Sequence, residues 1–246
     1  MSIRTSLSLK TFVSVTFLLL VGTAILAACG SSSSGTATAS SSSSTSSSST
    51  TTQPSGSGGG GSNARSGPAS GGASGTVASL STSGFTLTTS GGQKVTVDEA
   101  SSTTYQNGTS SISASAITNG ESVLVLGTVN TTNGTTIAAT QVIVQPTGSG
   151  GSATSSAAGV VPFQRGAPTT SKQVGQIPAN YSQGSGTIVS GTTANKATEA
   201  ALAAYPGGVV DRVVQLSNGE YEVHIIGVNW PHHVFVDQNF KVVGAE

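Results

Sequence analysis

The apolar positions change rhythm along the chain, and the changes mark its parts. Residues 11–28, "TFVSVTFLLLVGTAILAA", form one predominantly apolar run without a charge. From Gly30 to about Ala73 no period survives among Ser, Thr, Gly and Ala. From Gly75 the runs "GTVASL", "GFTLTT", "QKVTVD", "ESVLVLGTV" and "TTIAATQVIVQ" alternate, separated by Gly- and Asn-rich turns. Such short β-branched runs predict antiparallel strands. "VLVL" (Val123–Leu126) is apolar on both faces and predicts a central strand. Five or six strands in about 70 residues predict a small closed or partly open barrel over 74–146.

A second aperiodic stretch fills 147–186. It reads as an extended spacer, with "VVPF" or "QIPANY" as the pieces able to add a strand to a sheet edge. The rhythm then becomes helical. In "TTANKATEAALAAY", Ala197, Ala201 and Ala204 or Tyr205 share a face, Thr192 or Thr193 supplies a cap, and Pro206-Gly207-Gly208 stops the helix. "VVDRVVQL", the turn "SNGE" and "YEVHIIGV" predict a hairpin about Asn218-Gly219. Tyr221, Val223 and Ile225 fall on one face, with Glu222 and His224 on the other. "HVFVD", "QNF" and "KVVGAE" predict a second hairpin, so 187–246 reads as one helix on an antiparallel sheet. The predicted fold class is mostly β plus α+β: a small antiparallel β-barrel, then a helix-on-sheet domain, with long disordered segments.

Composition sharpens this picture. Charged residues are only 7% and aromatics 4%. The Ser/Gly/Thr tracts cannot offset the entropy of ordering, so 29–73 is a disordered tether. About 44 residues of such chain span roughly 35 Å root-mean-square. The net charge is zero. The barrel region carries one lysine (Lys94), no arginine, and only Phe85 and Tyr105 as aromatics. A nucleic-acid groove needs cations and stacking rings, so no nucleic-acid partner is expected.

The single cysteine, Cys29, excludes an internal disulfide framework. Its flanks offer nothing to lower a thiol pKa, which argues against catalysis. Arg4 and Lys10 precede the apolar run, and small residues end it: the layout of a secretory signal over 1–28. The stretch Leu26-Ala27-Ala28-Cys29 resembles the lipobox of bacterial lipoproteins at every position. That resemblance implies cleavage between Ala28 and Cys29, a diacylglyceryl group on the Cys29 sulfur, and a lipid-anchored chain facing outside the cytoplasm. The competing expectation is an uncleaved transmembrane helix.

Two further resemblances cover the folded parts. The order "GTVASL…GFTLTTSGGQKVTVDEASSTTY…AITNGESVLVLGTV…IAATQVIV" resembles a β-barrel family of unknown function found in envelope lipoproteins, which implies an OB-like barrel and no known chemistry. "ATEAALAAYPGGVVDRVVQLSNGEYEVHIIGV" with "HVFVDQNFKVV" resembles a PepSY-type domain. It departs where that family carries an Asp-Gly turn, since this chain reads "GVNWPHHV". The resemblance implies binding to an envelope or extracellular protein, such as a protease, and no catalytic residues.

His224, His232 and His233 are all the histidines. His232 and His233 are neighbours, so at most one is expected to meet His224. The nearest carboxylates in sequence are Glu222 and Asp237. The expectation is ordinary surface or loop histidines, no metal and no cofactor. Trp230 is either a loop anchor over the sheet or a partner-binding aromatic. Trp230, His232 and His233 are therefore the candidate partner contacts. Asp211-Arg212 and Glu222 are expected as cross-strand pairs. No G-x-S-x-G elbow, P-loop or dinucleotide fingerprint is present. The expected function is a non-catalytic, membrane-anchored protein binder. The alternatives are a structural or adhesive spacer, and a small-ligand or metal binder using the histidine loop.

Overall fold

The computed structural model describes residues 68–132, 135–146 and 159–246. Cys29, Ala28, the leader and most of the tether lie outside them. The described protein is mostly β-strand with one α-helix.

Strand β1 (Ala69–Ser81) organises the molecule. With β2 (Gly84–Thr89), β3 (Lys94–Asp98), β6 (Ser122–Asn130) and β7 (Thr136–Val144) it closes a five-stranded barrel in the order β1-β2-β3-β7-β6-β1. The expected all-antiparallel barrel needs one correction: β3 runs parallel to β7. The hairpin of β4 (Thr104–Asn107) and β5 (Ser110–Ser111) extends that side, again with β4 parallel to β7. Val77, Phe85, Leu87, Val95, Val97, Val123, Val125, Ile137 and Val142 fill the barrel.

The tether was expected to reach residue 73, yet β1 begins at Ala69. "ASGGASG" looks like linker by composition, but its small residues allow close strand approach. A Cβ at Gly71 would strike the Val210 carbonyl, and one at Gly72 the Val125 carbonyl. Beyond the barrel, β1 pairs with β11 (Val209–Gln215) at Gly72↔Val210 and Ala73↔Val209. The two modules are thereby one continuous sheet. It continues through β12 (Tyr221–Ile226), β14 (His233–Val236) and β15 (Val242–Ala245).

Helix α1 (Gly191–Ala204) lies on one face of this second half. Ser190 occupies its N-cap position without a side-chain cap bond, so the cap falls before the expected Thr192 or Thr193. Ala194, Ala197, Ala201 and Leu202 bury against Val213, Val223, Ile225, Val234 and Val236. Leu124 and Leu126 of β6 join this core from outside the barrel. That explains why "VLVL" is apolar on both faces: Val123 and Val125 face one core, Leu124 and Leu126 the other. After the helix, the carbonyl of Gly207 accepts a 2.7 Å bond from the buried Thr89 hydroxyl, fastening the helix stop to the barrel.

The segment 159–188 is more than a spacer. β8 (Val161–Pro162) pairs with β13 (Val228–Trp230), β9 (Val174–Gly175) with β15, and β10 (Thr187–Ile188) with β11. It straps the face opposite the helix, where Ile177 and Tyr181 pack on Val214, Leu216 and Phe235.

Candidate functional site

Under the strap, the exposed face predicted for β12 is covered. Glu222 is 3% exposed and His224 9%. His233 lies directly opposite His224 across β12 and β14, and Phe235 opposite Glu222. Arg212 faces His224 from β11. The β11 register slips between Val210 and Arg212. Such a bulge re-aims a side chain. Here it turns Asp211 toward the same face as its neighbour Arg212. Asp211 Oδ1 stands 2.5 Å from His224 Nδ1, and Asp211 Oδ2 lies 3.7 Å from the Arg212 guanidinium. The cross-strand partner of Asp211 is thus His224, and that of Glu222 is His233, rather than a pairing of Asp211-Arg212 with Glu222.

The expectation of ordinary surface histidines fails. All three histidines meet. The His224 and His233 ring centroids are 5.1 Å apart, and those of His224 and His232 6.5 Å. Both adjacent histidines approach His224 because His232 precedes β14 and escapes the strand alternation. Each ring is held through Nδ1. His224 Nδ1 donates to Asp211, His233 Nδ1 donates to Glu222 Oε1 at 2.6 Å, and His232 Nδ1 donates to the Ile225 carbonyl at 3.2 Å. The Tyr181 oxygen, 2.9 Å from His233 Nδ1, shares that hydrogen. Burial holds His232 below the usual imidazole range; His224 and His233 act the same way and the Ile225 bond opposes. Burial, then Glu222 and Glu246, push the Tyr181 phenol well above its usual range.

The three rings line one open cleft of about 900 Å³. Its other wall is strap: Phe163, residues 169–173 and Gln183. Phe163 is 54% exposed. The Gln173 amide donates to Glu246 Oε2 at 3.0 Å along the rim.

Trp230 is 1% exposed, so it offers no surface to a partner. Its indole N–H donates to the Lys172 carbonyl at 2.6 Å, Tyr205 packs edge-on at 5.5 Å, and the Lys172 ammonium sits 4.2 Å over the ring. Trp230 fastens the strap. His233 is likewise buried, at 8% exposure, while His232 is half-buried. Asp237 is not near the histidines' hydrogen bonds; it organises an exposed turn by accepting from Asn239 N and Lys241 N, both at 2.8 Å. Sequence reasoning missed Tyr181, which sits in an aperiodic stretch, and the aim of Asp211, which depends on a bulge.

Among the described residues no group of three or more His, Cys, Asp or Glu is arranged to hold a metal ion. No protein-family model, no curated protein and no solved structure matches this chain.

Proposed function

We propose that this chain is a non-catalytic binding protein of the cell envelope, held to the membrane by a lipid on Cys29 and presenting a protein-binding cleft. The open cleft beneath the strap carries this reading. It combines a half-exposed aromatic, Phe163, with amides from Gln173, Gln183 and Asn229 and the imidazole of His232. An apolar anchor set among a few convergent polar groups suits a peptide segment of another protein. The PepSY-like pattern of the helix-on-sheet half supports a protein partner, such as an envelope or extracellular protease. The barrel's strand order supports an OB-like scaffold, whose place is to brace β11 through β1.

The test uses the whole mature chain, because residues 187–246 alone would lose both β1 and the strap. Immobilised protein is exposed to solubilised envelope and culture fluid, alongside a Phe163→Ala, His232→Ala double variant. A protein retained by the native chain and lost by the variant supports the reading. Equal retention by both removes the cleft from it and favours a spacer. Anchoring is tested by mass spectrometry of the membrane fraction: a diacylglyceryl-modified Cys29 is expected at the mature N-terminus, and Cys29→Ser should release the chain from membranes.

A further inference from the structure

We infer that His224 and His233 form a two-imidazole seat for a transition-metal ion of the zinc class, with its remaining coordination positions open to the cleft. The inference is independent of any protein partner. Four observations carry it.

The first is spacing. Zinc binds imidazole nitrogen at about 2.0–2.1 Å, so two rings sharing one tetrahedral ion through Nε2 have centroids about 5 Å apart. His224 and His233 stand at 5.1 Å with their planes tilted by 50°. The second is the tautomer. A metal-binding histidine characteristically gives its other N–H to a carboxylate or carbonyl, which fixes the tautomer and the ring orientation. Asp211 does this for His224, and Glu222 for His233. Among the described residues every ring hydrogen bond of these two runs through Nδ1, leaving the Nε2 lone pairs for a ligand.

The third is access. Both rings line the open cleft although their residues are more than nine-tenths buried. The fourth is charge. Three carboxylates, Asp211, Glu222 and Glu246, lie about the pair, against two cations: Arg212, whose guanidinium is directed at Asp211, and Lys172 on the strap wall, whose ammonium sits over the Trp230 ring. A cation is the complement of this balance.

His232 does not complete the shell where it stands. At 6.5 Å from His224, and with the rings nearly parallel at 24°, it lies outside the geometry of one shared ion. The absence of a three-residue group among the described residues agrees with this. Water, or a donor from a molecule in the cleft, fills the other two positions, one more than in zinc sites with three protein ligands and a single open position.

Metal-free mature protein is titrated with zinc chloride by calorimetry, and with cobalt(II) to read the visible bands of a low-symmetry site. One equivalent is expected to bind. His224→Ala and His233→Ala should each weaken binding at least about 10-fold, and Asp211→Asn about 10- to 100-fold. His232→Ala should leave affinity within a factor of about three. If a histidine variant fails to fold, nitrogen NMR of the native chain decides: zinc should shift Nε2 of His224 and His233, and not of His232. No binding, or zinc shifts confined to His232, overturns the inference.

Discussion

At the residue scale, the clearest consequences come from side chains that the fold leaves no room for. Gly71 faces the Val210 carbonyl at the junction of the two halves. Gly71→Ala forces β1 and β11 apart, and overpacking of this kind costs about 1–3 kcal/mol. Denaturant unfolding should show that loss with an unchanged slope, whereas the same change at Gly92, where a Cβ meets nothing but φ is +83°, involves backbone strain alone. Tyr105 offers a pH test. Burial, then the neighbouring Glu99 carboxylate, push its pKa from 10.0 up to about 12. The fold thus favours the neutral phenol. That contribution is complete below pH 10 and is lost as pH rises from there toward about 12. Stability measured across that window should fall less steeply in Tyr105→Phe. The histidines show where sequence reading stopped. Their identities and the carboxylate Glu222 were visible, but alternation separated His232 from His233, and nothing local announced the bulge that aims Asp211.

At the element scale, the strands were legible and the strap was not. β2, β3 and β7 alternate because each turns one face to the barrel core, β6 reads apolar on both faces because it lies between two cores, and the Asn218-Gly219 hairpin carries its own turn chemistry: Gly219 has φ +84° and Glu220 N donates to Asn218 Oδ1 at 3.1 Å. The strap makes only two-residue pairings, which leave no period to read. Its hold depends on side chains far away in sequence, above all Trp230. Trp230→Phe keeps most of the apolar bulk but removes the donor to the Lys172 carbonyl. Losing one such bond costs about 1 kcal/mol, somewhat more where the carbonyl stays dry. Amide exchange should accelerate in residues 171–176 while α1 and the barrel strands keep their protection. Uniform acceleration across the whole chain would mean that Trp230 supports the main core and not the strap.

At the scale of the whole molecule, the question is whether barrel and helix-on-sheet half are two domains or one. Composition suggested two modules joined by a linker at 147–186, because a period of two gives way to a period of 3.6 only after a long polar interval. The chain path does not follow that division. β1 closes the barrel and also pairs with β11; β6 sends Val123 and Val125 into one core and Leu124 and Leu126 into the other; Thr89 fastens the helix stop. Elements that share strands and cores cannot unfold separately without exposing β11's edge and the outer face of β6. A single cooperative transition follows. Trp230 fluorescence reports only the C-terminal half, and amide exchange in 84–98 reports only the barrel. Their denaturation midpoints should coincide, and Gly71→Ala should move both by the same amount. Residues 187–246 expressed alone should lack that transition. Separate midpoints, or a stably folded 187–246 fragment, would show that the shared sheet joins two domains that do not depend on one another, and the cleft would then have to be assigned to the C-terminal half with its strap alone.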